Sequence, residues 1–165
     1  MQISMKTKKS TPILPLGRQL ALLTRLYYGA LTKQLEHLDI DRHYSILLVI
    51  AESEMPCCQQ AIADLLHIDK VVMVRNINYL IKKNYIKRVV NPNDRREYWI
   101  QLTAKGKQHI PAIQQATKSL NEKAMKGNST TAVKQFNAQL ENMFKQLRAT
   151  PANAVSINYK SKQHP

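Results

Sequence analysis

Glycine is scarce in this sequence: only Gly17, Gly29, Gly106 and Gly127 occur in 165 residues. That leaves little material for phosphate-cradling loops, and neither a nucleophile elbow nor a framed pair of carboxylates accompanies them. Catalysis has no recognisable carrier, so a non-enzymatic role is expected. Cysteine is scarcer still. Cys57 and Cys58 are neighbours and cannot form the long-range staple of a small secreted domain. No histidine stands at ligand spacing from them, so neither a metal nor another cofactor is expected. Long apolar runs are missing as well. The longest, Ile46-Leu47-Leu48-Val49-Ile50-Ala51, falls far short of the ~20 residues that span a bilayer. Lys6, Lys8 and Lys9 are not followed by the apolar segment of a secretory leader. A cytoplasmic chain with no membrane partner is expected.

Acidic residues are the remaining deficit, with 11 against 25 Lys and Arg, a net charge of +14. The surplus is concentrated. Between Lys70 and Arg96 stand Lys70, Arg75, Lys82, Lys83, Lys87, Arg88, Arg95 and Arg96, opposed only by Asp94, so this stretch holds half of the total. Clustering of this kind points to a polyanionic partner.

The same stretch has a readable local pattern. Gln60 to Leu66 predicts a short helix with Ile62, Leu65 and Leu66 on one face. Asp69 is a good N-cap for a second helix, along which Val74, Ile77 and Ile81 recur, with Leu80 beside them. Asn84 suits a left-handed helix stop. Tyr85 to Val90 and Glu97 to Leu102 read as strands around the turn Asn91-Pro92-Asn93-Asp94. Helix, turn, helix and hairpin make a winged helix, whose second helix enters the DNA major groove.

The flanks read as helices. Leu16, Leu20, Leu23, Tyr27, Leu31, Leu35 and Leu38 mark one face of residues 16–38. Asp41 is placed to cap a helix from His43 to Glu52, and residues 54–58 then read as a connecting loop. Thr103 is placed to cap a helix to about Lys126 that Pro111 should bend, and Gly127-Asn128-Ser129 separates it from a helix over 131–148. The terminal helices carry more apolar surface than one small reading unit can cover, which points to an interface.

Several segments stand in the order and spacing of family landmarks. They are Ile62-Ala63-Asp64-Leu65-Leu66, Leu80-Ile81-Lys82-Lys83-Asn84-Tyr85-Ile86, Asn93-Asp94-Arg95-Arg96-Glu97 and Leu102-Thr103-Ala104-Lys105-Gly106. On these segments the chain resembles MarR-type transcriptional regulators, strongly over 46–106. Two departures are Asn84, where the family usually has Gly, and Val71-Val72-Met73, where small hydroxyl residues are common. The expected fold is mainly α with a small β-hairpin wing: a winged helix-turn-helix over about 41–102, with dimerisation helices over about 16–38 and 103–149. Together they make one domain over 16–149, between a flexible basic arm (1–15) and a polar tail (150–165).

The resemblance implies a homodimer that binds a pseudo-palindromic operator on double-stranded DNA, more often as a repressor, under the control of a small-molecule effector. The residues expected at DNA are Asp69, Lys70, Val72, Met73, Arg75, Asn76, Lys82, Asp94, Arg95 and Arg96. Arg75 can fork onto guanine or simply hold a phosphate, and Asn76 can read adenine. Val72 and Met73 either meet thymine methyls or belong to the core. Arg96 matches the family's minor-groove arginine, with Asp94 positioned to hold its guanidinium. An effector pocket would draw on Tyr27, His43 and Tyr44, with Tyr28 and His37 nearby. Cys57 and Cys58 are candidates for an oxidant-sensing pair. The alternative is an architectural or adaptor protein that binds DNA without sequence choice, or binds another protein.

Overall fold

The computed structural model describes residues 14–92, 94 and 96–151. The basic arm and polar tail fall almost wholly outside them. The elements in order are α1 (Leu16–Gln34), α2 (Tyr44–Glu52), β1 (Cys57–Cys58), α3 (Gln59–Leu66), α4 (Lys70–Lys82), β2 (Ile86–Val90), β3 (Tyr98–Leu102), α5 (Ala104–Ala124) and α6 (Thr130–Arg148). The strands form one antiparallel sheet in the order β1-β3-β2. Residues 54–58 are therefore not all loop. Cys57 pairs with Ile100 and Cys58 with Trp99.

Local chemistry explains most boundaries. The Asp69 carboxylate accepts from the main-chain N–H groups of Val71 (2.8 Å) and Val72 (3.2 Å), starting α4. Asn84 stops it in the left-handed region (φ 60), and the Tyr85 N–H returns to the Leu80 carbonyl. The Thr103 hydroxyl accepts from the Gly106 N–H at 3.1 Å and donates to the Asn84 carbonyl at 2.6 Å. It thus starts α5 and ties it to the end of α4. Gly106 permits that closeness, since a Cβ there would stand 2.2 Å from the Tyr85 carbonyl oxygen. Ser129 caps α6 through the Ala132 N–H.

Other expectations are corrected. The first helix ends at Gln34 rather than Leu38, although Leu35 and Leu38 still reach the core through the turns beyond it. Asp41 does not cap α2. It adopts φ 47, and His43 at the N-cap makes no side-chain cap bond. Leu65 is exposed, and α3 instead buries Ile62 and Ala63. In α4 the buried row is Met73, Ile77 and Leu80, with Val74 and Ile81 only half-buried. Val71 to Val74 are all apolar, so periodicity alone leaves the facing row open by one position.

The core gathers Leu31, Ile46, Leu47, Ile62, Ile77, Leu80, Ile86, Ile100 and Ile113 from α1 to α5 and both long strands. The final helix differs: α6 buries no residue within its own chain and leaves Phe136, Phe144 and Leu147 exposed. Helix α1 likewise leaves Leu16, Leu22, Leu23 and Leu26 exposed.

Candidate nucleic-acid interface

With Met73, Ile77 and Leu80 turned inward, the opposite side of α4 is determined by helix geometry. Residues four, three and four apart lie in one row along a helix of 3.6 residues per turn. That row is Val71, Arg75, Asn78 and Lys82, and all four are exposed. Lys70 is exposed beside its start. Val72 and Asn76 sit on the shoulders, half-buried. Met73 is 0% exposed, which removes it as a base contact and makes it a core residue. Asp69, exposed, is the N-cap of α4 that its type suggests, and its Oδ1 holds the first turn of the helix in place.

The hairpin stands beside α4. Arg88 on β2 points its guanidinium back to the helix, donating to Asn78 Oδ1 at 3.0 Å and Gln59 Oε1 at 3.4 Å. The sequence placed Arg88 only among the cations of the basic cluster and did not single out Asn78. Their signal becomes visible only once the strand and helix lie side by side. The wing turn is closed by Asp94, whose carbonyl accepts from the Glu97 N–H and whose carboxylate accepts from the Arg96 main-chain N–H at 2.9 Å. The expected carboxylate–guanidinium pair between Asp94 and Arg96 is not among the ion pairs of the described residues. Asp94 organises the turn through the backbone instead. Glu97 is held by Asn91, whose Nδ2 donates to Oε2 at 2.8 Å. Arg95 lies outside the described residues.

Between α3, the start of α4 and the wing runs an open crevice of about 630 Å³. Lys70, Arg88 and Arg96 line it, with Gln59 and Gln60 at the N-terminus of α3. Three cations and a helix N-terminus face one carboxylate, Glu97. Such a surface attracts anions through charge and free N–H groups.

The MarR family model matches residues 40–97. A candidate transcriptional regulatory protein for the hcr operon of Thauera aromatica is 30% identical over 110 residues, spanning 67% of this chain and 66% of the relative. A MarR transcriptional regulator of Methanosarcina mazei Go1 shares the fold at a TM-score of 0.74 and 25% identity, covering 82% of this chain and 98% of that one. The chain belongs to the MarR family of transcriptional regulators. A candidate MarR-family regulator from Listeria monocytogenes, solved in complex with 26mer DNA, shares the fold at a TM-score of 0.77 and 21% identity, covering 82% of this chain and 90% of that one. The fold is thus the winged helix of MarR regulators, with α3 and α4 as its helix-turn-helix pair and β2–β3 as its wing.

In this MarR-family chain the residues expected to form an effector pocket are engaged in packing. The Tyr27 hydroxyl donates to Asn121 Oδ1 at 2.6 Å, linking α1 to α5. Tyr27 meets Tyr28 edge-on, and Tyr28 packs on Tyr44, which is buried. The His43 ring lies 4.8 Å from that of Tyr79, and burial pushes its pKa down from the ordinary 6.5. His37 is exposed. A second crevice of about 550 Å³ lies elsewhere, between the end of α2, β3 and α5, and is lined by Ile50, Ser53, Met55, Cys57, Lys107 and Ile110 among others. None of the predicted pocket residues reaches it.

Cys57 and Cys58 are both free and half-buried. As strand neighbours they point to opposite sides: Cys57 lines the second crevice and Cys58 the first. The Cys57 thiol donates to Ser53 Oγ at 2.9 Å, while Cys58 Sγ accepts from the Ala61 N–H at the start of α3. Among the described residues, no helix is long and apolar enough to cross a membrane.

Proposed function

We propose that this regulator is a homodimeric repressor that binds a pseudo-palindromic operator and is released by a small-molecule effector. The observation that carries the reading is the row Val71, Arg75, Asn78 and Lys82, exposed along the recognition helix next to a cation-lined crevice. A helix with such a row fits a major groove. The crevice beside it suits the phosphate strand that divides the major groove from the minor one, with Lys70 and Arg88 as its cations. Arg96 then enters the minor groove, where a narrow A·T-rich segment has its strongest negative potential. The DNA in the Listeria relative's crystal supports the same class of partner.

The outer elements supply the second copy. A helix such as α6, with Phe136, Phe144 and Leu147 exposed and nothing buried, has no place in an isolated subunit. Residues 16–38 and 103–149 hold two copies together, and residues 41–102 of each read one half-site. The dimer blocks polymerase sterically in the cytoplasm. An effector seated in the second crevice releases it by favouring a different spacing of the recognition helices, which requires unequal affinity for the two states.

Selection of bound sequences from random duplexes at moderate salt tests this. The expected outcome is one motif with twofold symmetry. Equal binding of every duplex, with an affinity that falls steeply with salt, would instead establish an architectural role.

A further inference from the structure

The exposed row on α4 contains one residue that neither folding nor charge accounts for. Val71 is 62% exposed and belongs neither to the core nor to the apolar residues packed around it. It is not the clamp that fixes the start of the helix. The positions that pack across a cap at Asp69 are Ile68 and Met73, and both face inward. Local preference does not favour it either, since a β-branched side chain is a weaker helix former than alanine. Its main-chain N–H is used by Asp69, which fixes the first turn and with it the direction of the side chain. Val71 thus offers two methyl groups to solvent, rigidly, from the N-terminal turn of the recognition helix, with exposed Lys70 beside it and exposed Arg75 one turn on.

We infer that Val71 is a specificity residue that reads the C5 methyl of a thymine in each half-site. This rests on the DNA-binding reading above. It transfers to Val71 the apolar role that buried Met73 cannot perform. The major-groove edge of thymine is the only one among the four bases that presents a methyl group, and apolar side chains select it. Arg75 supplies the neighbouring contact. Four helical residues advance about 6 Å, and successive base pairs about 3.4 Å. The thymine read by Val71 therefore lies within about two base pairs of a guanine read by Arg75.

The test begins with the motif selected by the full-length protein. Each thymine is replaced in turn by deoxyuridine, which removes only the methyl group. Affinities are measured at fixed salt for the wild type, Val71→Ala and Val71→Thr. At one thymine per half-site the replacement should weaken wild-type binding about fourfold, the worth of one buried methyl group, and about fifteenfold when made in both half-sites. The same replacement should leave Val71→Ala unaffected, so that the two losses are not additive. Val71→Thr, which keeps one methyl group and the branched shape, should give an intermediate loss. Melting temperatures of the variants should stay close to the wild type, because Val71 is 62% exposed and lies outside the core. A selected motif in which no thymine couples to Val71 overturns this inference and leaves the regulator reading standing. Failure to select any motif overturns both.

Discussion

Replacing Phe144 by alanine tests how the terminal helices are used. A phenylalanine side chain can bury roughly 150–250 Å². Phe144 is 57% exposed in the single chain. A partner helix therefore has about 100 Å² of its apolar surface left to cover, worth about 2.5 kcal/mol. A twofold interface carries the change in both copies, so the dimer should lose about 5 kcal/mol. That raises the dissociation constant by roughly three to four orders of magnitude. Sedimentation equilibrium at micromolar concentration should give a dimer for the wild type and a monomer–dimer mixture or monomer for Phe144→Ala. Circular dichroism should show the helices of the core retained and any loss confined to α6, because α6 contributes no buried residue to its own subunit. A monomeric wild type, or a dissociation constant that Phe144→Ala leaves unchanged, would refute the placement of α6 at a subunit interface.

Three further outcomes are expected. Gly106→Ala forces a methyl group to within 2.2 Å of the Tyr85 carbonyl oxygen, and urea denaturation should show a loss of about 1–3 kcal/mol or more. His43 is held neutral by burial, so its contribution to stability is complete above its ordinary value of 6.5 and is lost as pH falls below it, when the unfolded chain takes up a proton that the folded one resists. Urea midpoints should therefore fall more between pH 7.5 and 5.5 for the wild type than for His43→Phe, which keeps a ring against Tyr79; parallel curves would contradict this. Arg88→Met should lower the salt dependence of DNA binding by about one counterion per half-site, read as the slope of log affinity against log salt.

The capped boundaries were legible because a cap is a local contract. Asp69, Asn84, Thr103 and Ser129 each act on backbone groups within a few residues, and each acts as its type suggests. The second and third strands were legible for the same reason, through their β-branched and aromatic runs. Strand β1 was not, because Cys57 and Cys58 become a strand only by pairing with Ile100 and Trp99, far along the chain. The facing of α4 was open by one position, and that single step decided the site: it sent Met73 inward and brought Val71 out. Arg88 was not singled out because its charge reads as one of many until the hairpin carries it against Asn78. A hydroxyl on an aromatic ring serves packing and ligand binding equally well, so the type of the tyrosines left both roles open. In the structure the Tyr27 hydroxyl bonds Asn121.

A hydroxyl-radical footprint of the full-length protein on its selected operator tests directly whether two readers grip the duplex. Two protected windows should lie on one face of the duplex, about 10–10.5 base pairs apart or a multiple of that, each flanked by minor-groove protection. Arg96→Ala should erase the flanking protection and leave the two windows in place. A single window, uniform protection along the duplex, or flanks that persist without Arg96 would contradict an account in which two recognition helices and two wings grip successive turns.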